Sequence, residues 1–80
     1  MTAPTLVLYT RSGCPLCEEM EAALHGWQGR LGFRLETVDI DADPGLVRRY
    51  NDQVPVLTDA AGEAICRHFL DETALQAHFG

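Results

Sequence analysis

Thr5-Leu6-Val7-Leu8-Tyr9-Thr10-Arg11-Ser12-Gly13-Cys14-Pro15-Leu16-Cys17 is the stretch on which the reading of this chain turns. Thr5 to Tyr9 form a short β-type run, and the turn-rich residues Thr10 to Gly13 end it. Beyond the cysteines, Leu16, Met20, Ala23, Leu24 and Trp27 recur at steps of three and four, which lays one apolar stripe along a helix. Strand, turn and helix are therefore expected, with the two cysteines where the helix begins. Gly26, Gly29 and Gly32 are expected to end that helix and open the connection to the next strand.

Working outward, Phe33 to Ile40 mixes β-branched and apolar residues and reads as a second strand. In the sequence Asp41-Ala42-Asp43-Pro44, Asp43 suits a helix cap and Pro44 the first helical position, and Leu46, Val47 and Tyr50 supply the apolar face of a short second helix. A strand, helix, strand order implies a right-handed crossover with the two strands parallel. Val54 to Leu57 and Glu63 to Arg67 then read as a hairpin around Thr58 to Gly62. Pro55 lacks a ladder donor, so within the first of these strands it demands an edge, a strand start or a bulge. Asp71 and Glu72 head a terminal helix with Leu75 and Phe79 on one side. The element order is βαβαββα, an α/β arrangement, and without internal repeats or a boundary it reads as a single domain over residues 1–80.

A chain of 80 residues has a small core, burying only about 60% of its extended surface. Its 46% apolar and 22% charged residues are an ordinary globular balance that argues against disorder. Twelve acids face six bases, all arginine, for a formal charge of -6. Arg11, Arg30, Arg34, Arg48, Arg49 and Arg67 are dispersed, so the clustered cations that phosphate backbones require are missing and nucleic acid is excluded as a partner. The apolar run Leu6 to Tyr9 is too short for a signal or a membrane span. A cytoplasmic monomer without membrane attachment is the expectation.

Three cysteines, an odd number, exclude a fully paired disulfide scaffold, and in a reducing compartment a close pair points to redox or metal chemistry. At a helix start, unpaired backbone N–H groups and the positive end of the dipole favour an anion. Such a position stabilises a thiolate, which makes Cys14 the candidate nucleophile. Cys17, three residues on along the same face, is the candidate resolving thiol, placed to attack a mixed disulfide at Cys14. Pro15 suits the first helical turn, Leu16 offers apolar surface beside the pair, and Arg11 is a candidate electrostatic helper opposed by Glu18, Glu19 and Glu21.

Blander roles compete at several positions. The cysteine pair can instead be idle thiols, or hold a metal if Cys66 and His68 complete the ligand set. Cys66 reads as a small core residue, His25, His68 and His78 as surface or helix-end residues, and Met20 and Trp27 as core, while Tyr9 either lines the site or packs inward. The run Asp39, Asp41, Asp43 lacks the glycine and glutamate of a calcium loop, since Pro44 and Tyr50 hold those positions.

The order of elements, the Cys14-Pro15-Leu16-Cys17 pair and the later Val54-Pro55 together resemble the thioredoxin superfamily, and within it the small glutaredoxin-like proteins. The resemblance spans Thr5 to about Phe79. It implies a thioredoxin-like fold with a four-stranded mixed sheet flanked by helices, and thiol-disulfide oxidoreductase activity on a small thiol or protein disulfide. It further implies that Pro55 is cis beside the cysteines, that the backbone of Val54 pairs with bound thiol substrate, and that these two frame that substrate; Arg11, Pro15 and Leu16 are the other candidate substrate-binding residues. No bound cofactor is implied, and glutathione is the candidate reductant. The alternative within the same fold is a metal or iron-sulfur cluster held through Cys14. The chain departs from the glutathione-binding pattern: Gln53 stands where threonine usually precedes Val-Pro, Glu18 where a basic residue usually follows the pair, and Ile65-Cys66-Arg67-His68-Phe69 has no double glycine. Thiol-disulfide chemistry does not depend on these positions, whereas glutathione recognition does.

Overall fold

The computed structural model describes residues 3–80. Strand β1 (Thr5–Thr10) is followed by α1 (Pro15–Leu31), β2 (Arg34–Asp39), α2 (Pro44–Tyr50), β3 (Val56–Asp59), β4 (Ala64–Arg67) and α3 (Glu72–Phe79), with 3₁₀ turns at Ile40–Ala42 and Asn51–Gln53 on either side of α2. The four strands form one mixed sheet in the order β2-β1-β3-β4. Thr5 to Thr10 run parallel to Arg34 to Asp39, as the crossover rule requires. β3 returns antiparallel, with Tyr9 opposite Val56, and β4 closes the hairpin with Val56 opposite Arg67. The sequence-derived element order and the mixed sheet are both present.

Alternation along the central strands sends side chains into two layers. Leu6 and Leu8 of β1 and Leu57 of β3 join Met20, Leu24 and Trp27 of α1, Phe33 of the α1–β2 connection and Leu75 of α3 in the larger cluster. Val56, one residue away from Leu57, faces the opposite layer with Ile40 and Tyr50, where Tyr9, Leu46, Val47 and Val54 pack at the margin. The larger layer is tied laterally by the Trp27 indole N–H, which donates to Glu72 Oε2 at 3.2 Å and so joins α1 to α3. Met20 and Trp27 are core, and Tyr9 packs on Tyr50 with ring centroids 4.4 Å apart. Cys66 sits half-buried on β4 against the larger cluster, where burial pushes its thiol pKa up.

Four elements have boundaries that differ from the sequence expectation. Gly26 and Gly29 do not end α1; only Gly32 does, in the left-handed conformation (φ 73°) with its N–H donating to Gln28 O at 2.8 Å. Burial of Trp27 and partial burial of Leu31 carry the helix through the two earlier glycines, each of which costs about 1 kcal/mol relative to alanine. β2 is shorter than Phe33 to Ile40, because Phe33 and Ile40 anchor its two ends in opposite layers rather than extending its ladder. β3 begins at Val56 rather than Val54: Pro55 has no N–H for the ladder, and the Val54–Pro55 peptide is cis. Past the hairpin tip, where Asp59 Oδ1 accepts from the Ala61 and Glu63 N–H groups, β4 starts at Ala64 rather than Glu63. Asp43 and Asp71 cap α2 and α3 as their positions suggest.

Candidate active site

The Thr10 end of β1, the start of α1, the approach to β3 and the exit from β4 all lie at one end of the sheet. This follows from register: Val56 pairs with both Tyr9 and Arg67, so Pro55 and His68 extend the sheet at the end where β1 runs into the Cys14 loop. His68 N–H donates to Pro55 O at 2.8 Å, which fastens the β4 exit to the Val54–Pro55 turn.

Cys14 is the N-cap of α1, with extended backbone (φ -109°, ψ 100°), and Pro15 occupies the first helical position. Its Sγ accepts the N–H of Cys17 at 3.1 Å, a bond that directs an otherwise orphaned helix donor at the sulfur. Its carbonyl accepts the Glu18 N–H at 3.2 Å, so the helix ladder starts at this residue. Gly13, at φ 70°, turns the chain into the cap, a conformation that disfavours residues with a Cβ. Cys14 and Cys17 are joined as a disulfide, with Cα atoms 5.2 Å apart. The two sulfurs differ in access: Cys17 is 3% exposed, whereas Cys14 is only half-buried. Of the two, Cys14 is the one open to solvent.

Arg11, expected to lend its charge to Cys14, has a carboxylate of its own. Its Nη2 and Nε donate to Asp41 at 2.8 to 3.2 Å, and its Nη1 donates to Asn51 Oδ1 at 3.0 Å. This hydrogen bonding holds the Asp41 carboxyl below the ordinary aspartate range and raises the Arg11 guanidinium pKa. Arg11 therefore pins the loop before Cys14 to both 3₁₀ turns flanking α2, and its charge is matched locally. Asp41 and Asn51 are partners that the sequence did not single out, because a bidentate contact 30 residues away leaves no local pattern.

On the other side of the helix start, Leu16 is 37% exposed and, with Glu19 and Met20, lines a notch completed by His68, Phe69 and Leu70. Phe69 is 69% exposed. His68 takes φ 66°, and Phe69 N–H donates to Arg67 O at 2.7 Å, closing a tight turn that presents Phe69 beside Leu16. Glycine is the ordinary residue for such backbone. The exposure of Phe69 leaves no signal in the sequence, where it is one apolar residue after a strand. Val54 is half-buried and Pro55 buried at the head of β3. Among the described residues, no three His, Cys, Asp or Glu side chains converge to hold a metal ion, so the set of Cys14, Cys17, Cys66 and His68 is not assembled. No helix among the described residues is long and apolar enough to cross a membrane.

The comparisons with known proteins agree with this geometry. The family model for the glutaredoxin-like domain (DUF836) matches residues 5–80. An uncharacterised protein of Mycobacterium tuberculosis (strain ATCC 25618 / H37Rv) is 34% identical over 62 residues, which are 71% of this chain and 64% of that relative. The chain thus spans less than two thirds of that relative's length. The solution structure of protein Ne2328 from Nitrosomonas europaea is 41% identical with a TM-score of 0.88, covering 100% of this chain and 95% of that one. Two more distant structures share the fold: oxidised mitochondrial thioredoxin 3 of Saccharomyces cerevisiae (20% identity, TM-score 0.59, 99% and 78% of the two chains) and a buckwheat glutaredoxin in complex with glutathione (18%, 0.54, 94% and 68%).

Proposed function

The chain belongs to the glutaredoxin-like domain family of the thioredoxin superfamily, and from that premise we propose that it is a dithiol thiol-disulfide oxidoreductase. The fold and the Cys14–Cys17 disulfide support a redox function, and one observation carries the finer reading: the accessible sulfur is the helix cap, and its partner is buried one turn behind it.

In the reduced protein, the Cys14 thiolate attacks one sulfur of a substrate disulfide, forming a mixed disulfide and expelling the other sulfur as a thiolate, which takes up a proton from solvent. Cys17 then gives up its proton and attacks Cys14 Sγ, closing the Cys14–Cys17 bond and releasing the second substrate thiolate. Two electrons pass from the protein dithiol to the substrate, and the disulfide of this structure is the oxidised end of the cycle. An external dithiol or two equivalents of a small thiol, with glutathione a candidate, return it to the dithiol. The Cys17 N–H that points at Cys14 Sγ, together with the dipole of α1, favours the thiolate at the attacking and leaving stages. Val54 and Pro55 frame the substrate, Pro15 fixes the helix start, and Arg11 holds the loop that carries Cys14.

The test is a pair of substitutions. Cys14→Ser is expected to reduce disulfide turnover to the uncatalysed background, while Cys17→Ser is expected to accumulate a mixed disulfide with substrate, visible as an added mass that dithiothreitol removes. Turnover that survives in the Cys14 variant overturns the proposal.

A further inference from the structure

We propose that the notch between Leu16 and Phe69 receives an apolar side chain next to the reacting cysteine of a cationic polypeptide disulfide, and that this class, rather than glutathione disulfide, is the preferred substrate. The inference rests on the oxidoreductase reading above and concerns what that site selects.

Among the described residues, the large apolar side chains left exposed are Leu16 and Phe69, and both line the same notch. Scattered surface hydrophobes need no explanation; two that converge on the helix turn that carries the cysteine pair do. Leu16 lies between the two cysteines in sequence, so a group seated against it is held at the helix turn that carries them. Phe69 is held out by the tight turn at His68, itself fastened to Pro55, so its exposure is built into the backbone. The notch has a volume of about 110 Å³, on the scale of cavities of about 150 Å³ that take up benzene, and so fits one aliphatic side chain. Its floor includes Met20, which is 2% exposed, and half-buried Leu70, giving an apolar base beneath the two exposed walls.

Of the side chains that line the notch, Glu19 is the carboxylate and none is a lysine or arginine. Glu18 is exposed beside it, and Asp71 and Glu72 follow directly on Leu70. The nearest arginines do not line it: Arg11 is ion-paired with Asp41, and Arg67 keeps its charge but lies with Gln53, Arg49 and Tyr50 in another pocket, its Nε donating to Gln53 Oε1 at 2.9 Å. A cation flanking the substrate cysteine is therefore attracted, and a small dicarboxylate such as glutathione is repelled. Apolar wall and acidic rim together describe a polypeptide bearing lysine or arginine and an aliphatic residue at its disulfide.

The experiment mixes reduced protein with excess disulfide-linked peptide dimers and follows the released thiol. Four probes are used: a tripeptide of lysine, leucine and cysteine, the same with serine for leucine, the same with glutamate for lysine, and glutathione disulfide. Each rate is divided by that of the same disulfide with dithiothreitol, which removes differences in leaving-group reactivity. At low salt the lysine-leucine peptide is expected to exceed each of the others by about tenfold. Phe69→Ser should bring the leucine-to-serine ratio towards one, and Glu19→Lys should shift the charge preference towards glutamate. Phe69 is exposed, so its replacement leaves the core intact. Equal normalised rates for the leucine and serine peptides, an unchanged ratio in Phe69→Ser, or fastest reaction with glutathione disulfide overturns this inference while leaving the oxidoreductase reading in place. Failure to reduce any probe overturns both.

Discussion

Thr58 carries a conflict that one atom decides. It is 1% exposed on β3, and its hydroxyl Oγ1 has no hydrogen-bond partner among the described residues. A buried hydroxyl left unmade costs about 1–3 kcal/mol, while the β-branched shape still suits the strand. Thr58→Val keeps the branching and removes the orphan, so it is expected to raise stability by about 1 kcal/mol, seen as a higher urea midpoint at unchanged slope. A lower midpoint would mean that the hydroxyl has found a partner. Asp41 makes the opposite kind of contribution, through charge at the surface. Because Arg11 depresses its folded pKa, its stabilising effect is complete above the unfolded aspartate value and is lost as pH falls through the folded one. A carboxyl-detected NMR titration is expected to place the Asp41 midpoint below that of an ordinary aspartate, and Arg11→Gln should move it back up. Asp41 is exposed and Arg11 partly so, and the effect is expected to shrink in high salt.

At the scale of single elements, the glycines of α1 separate what local pattern can show from what it cannot. Gly26 and Gly29 lie inside the helix with open space where a Cβ would stand, whereas Gly32 sits at φ 73° beyond its end. Alanine at Gly26 or Gly29 is therefore expected to stabilise the protein by about 0.5–1 kcal/mol each, and Gly32→Ala to destabilise it by about 1 kcal/mol, as read by thermal unfolding. Destabilisation by all three would mean that the helix ends among these glycines, as the sequence pattern alone suggests. Three glycines at a three-residue spacing look alike in sequence; only burial of Trp27 and Leu31 distinguishes them, and burial depends on strands distant in the chain. What was legible was what local physics sets: the Cys14 cap with Pro15 after it, the Asp43 and Asp71 caps, and the parallel pairing required by the crossover. What was not legible was long-range. The bidentate hold of Asp41 and Asn51 on Arg11, and the presentation of Phe69 beside Leu16 by left-handed His68, arise from strand register, which no short window contains.

Taken whole, the molecule is two unequal layers on one small sheet, and their inequality bears on how the site moves. An 80-residue domain has only about 4–12 kcal/mol of total stability, so local openings below that limit are populated. The larger layer joins eight buried residues from both central strands, α1, α3 and the α1–β2 connection, while the other buries Ile40, Tyr50 and Val56 beneath a seven-residue helix between 3₁₀ turns. A helix of that length has no stability of its own, since isolated helices need more than about 12 residues, so α2 depends on those three side chains and on the Arg11 contacts at its two ends. The segment from Ile40 to Val54 is therefore expected to open as a unit at lower free energy than β1 and α1. Because it leads into the Val54–Pro55 turn, such opening loosens one wall of the site while the Cys14 cap stays in place. Native-state hydrogen exchange checks this: amides of Leu46 to Asn51 should be less protected than those of Leu6 to Tyr9, with a weaker dependence on denaturant, and Arg11→Gln should widen the gap. If the α2 amides exchange with the same free energy and denaturant slope as β1, the two layers unfold together, and the site has no independently mobile wall.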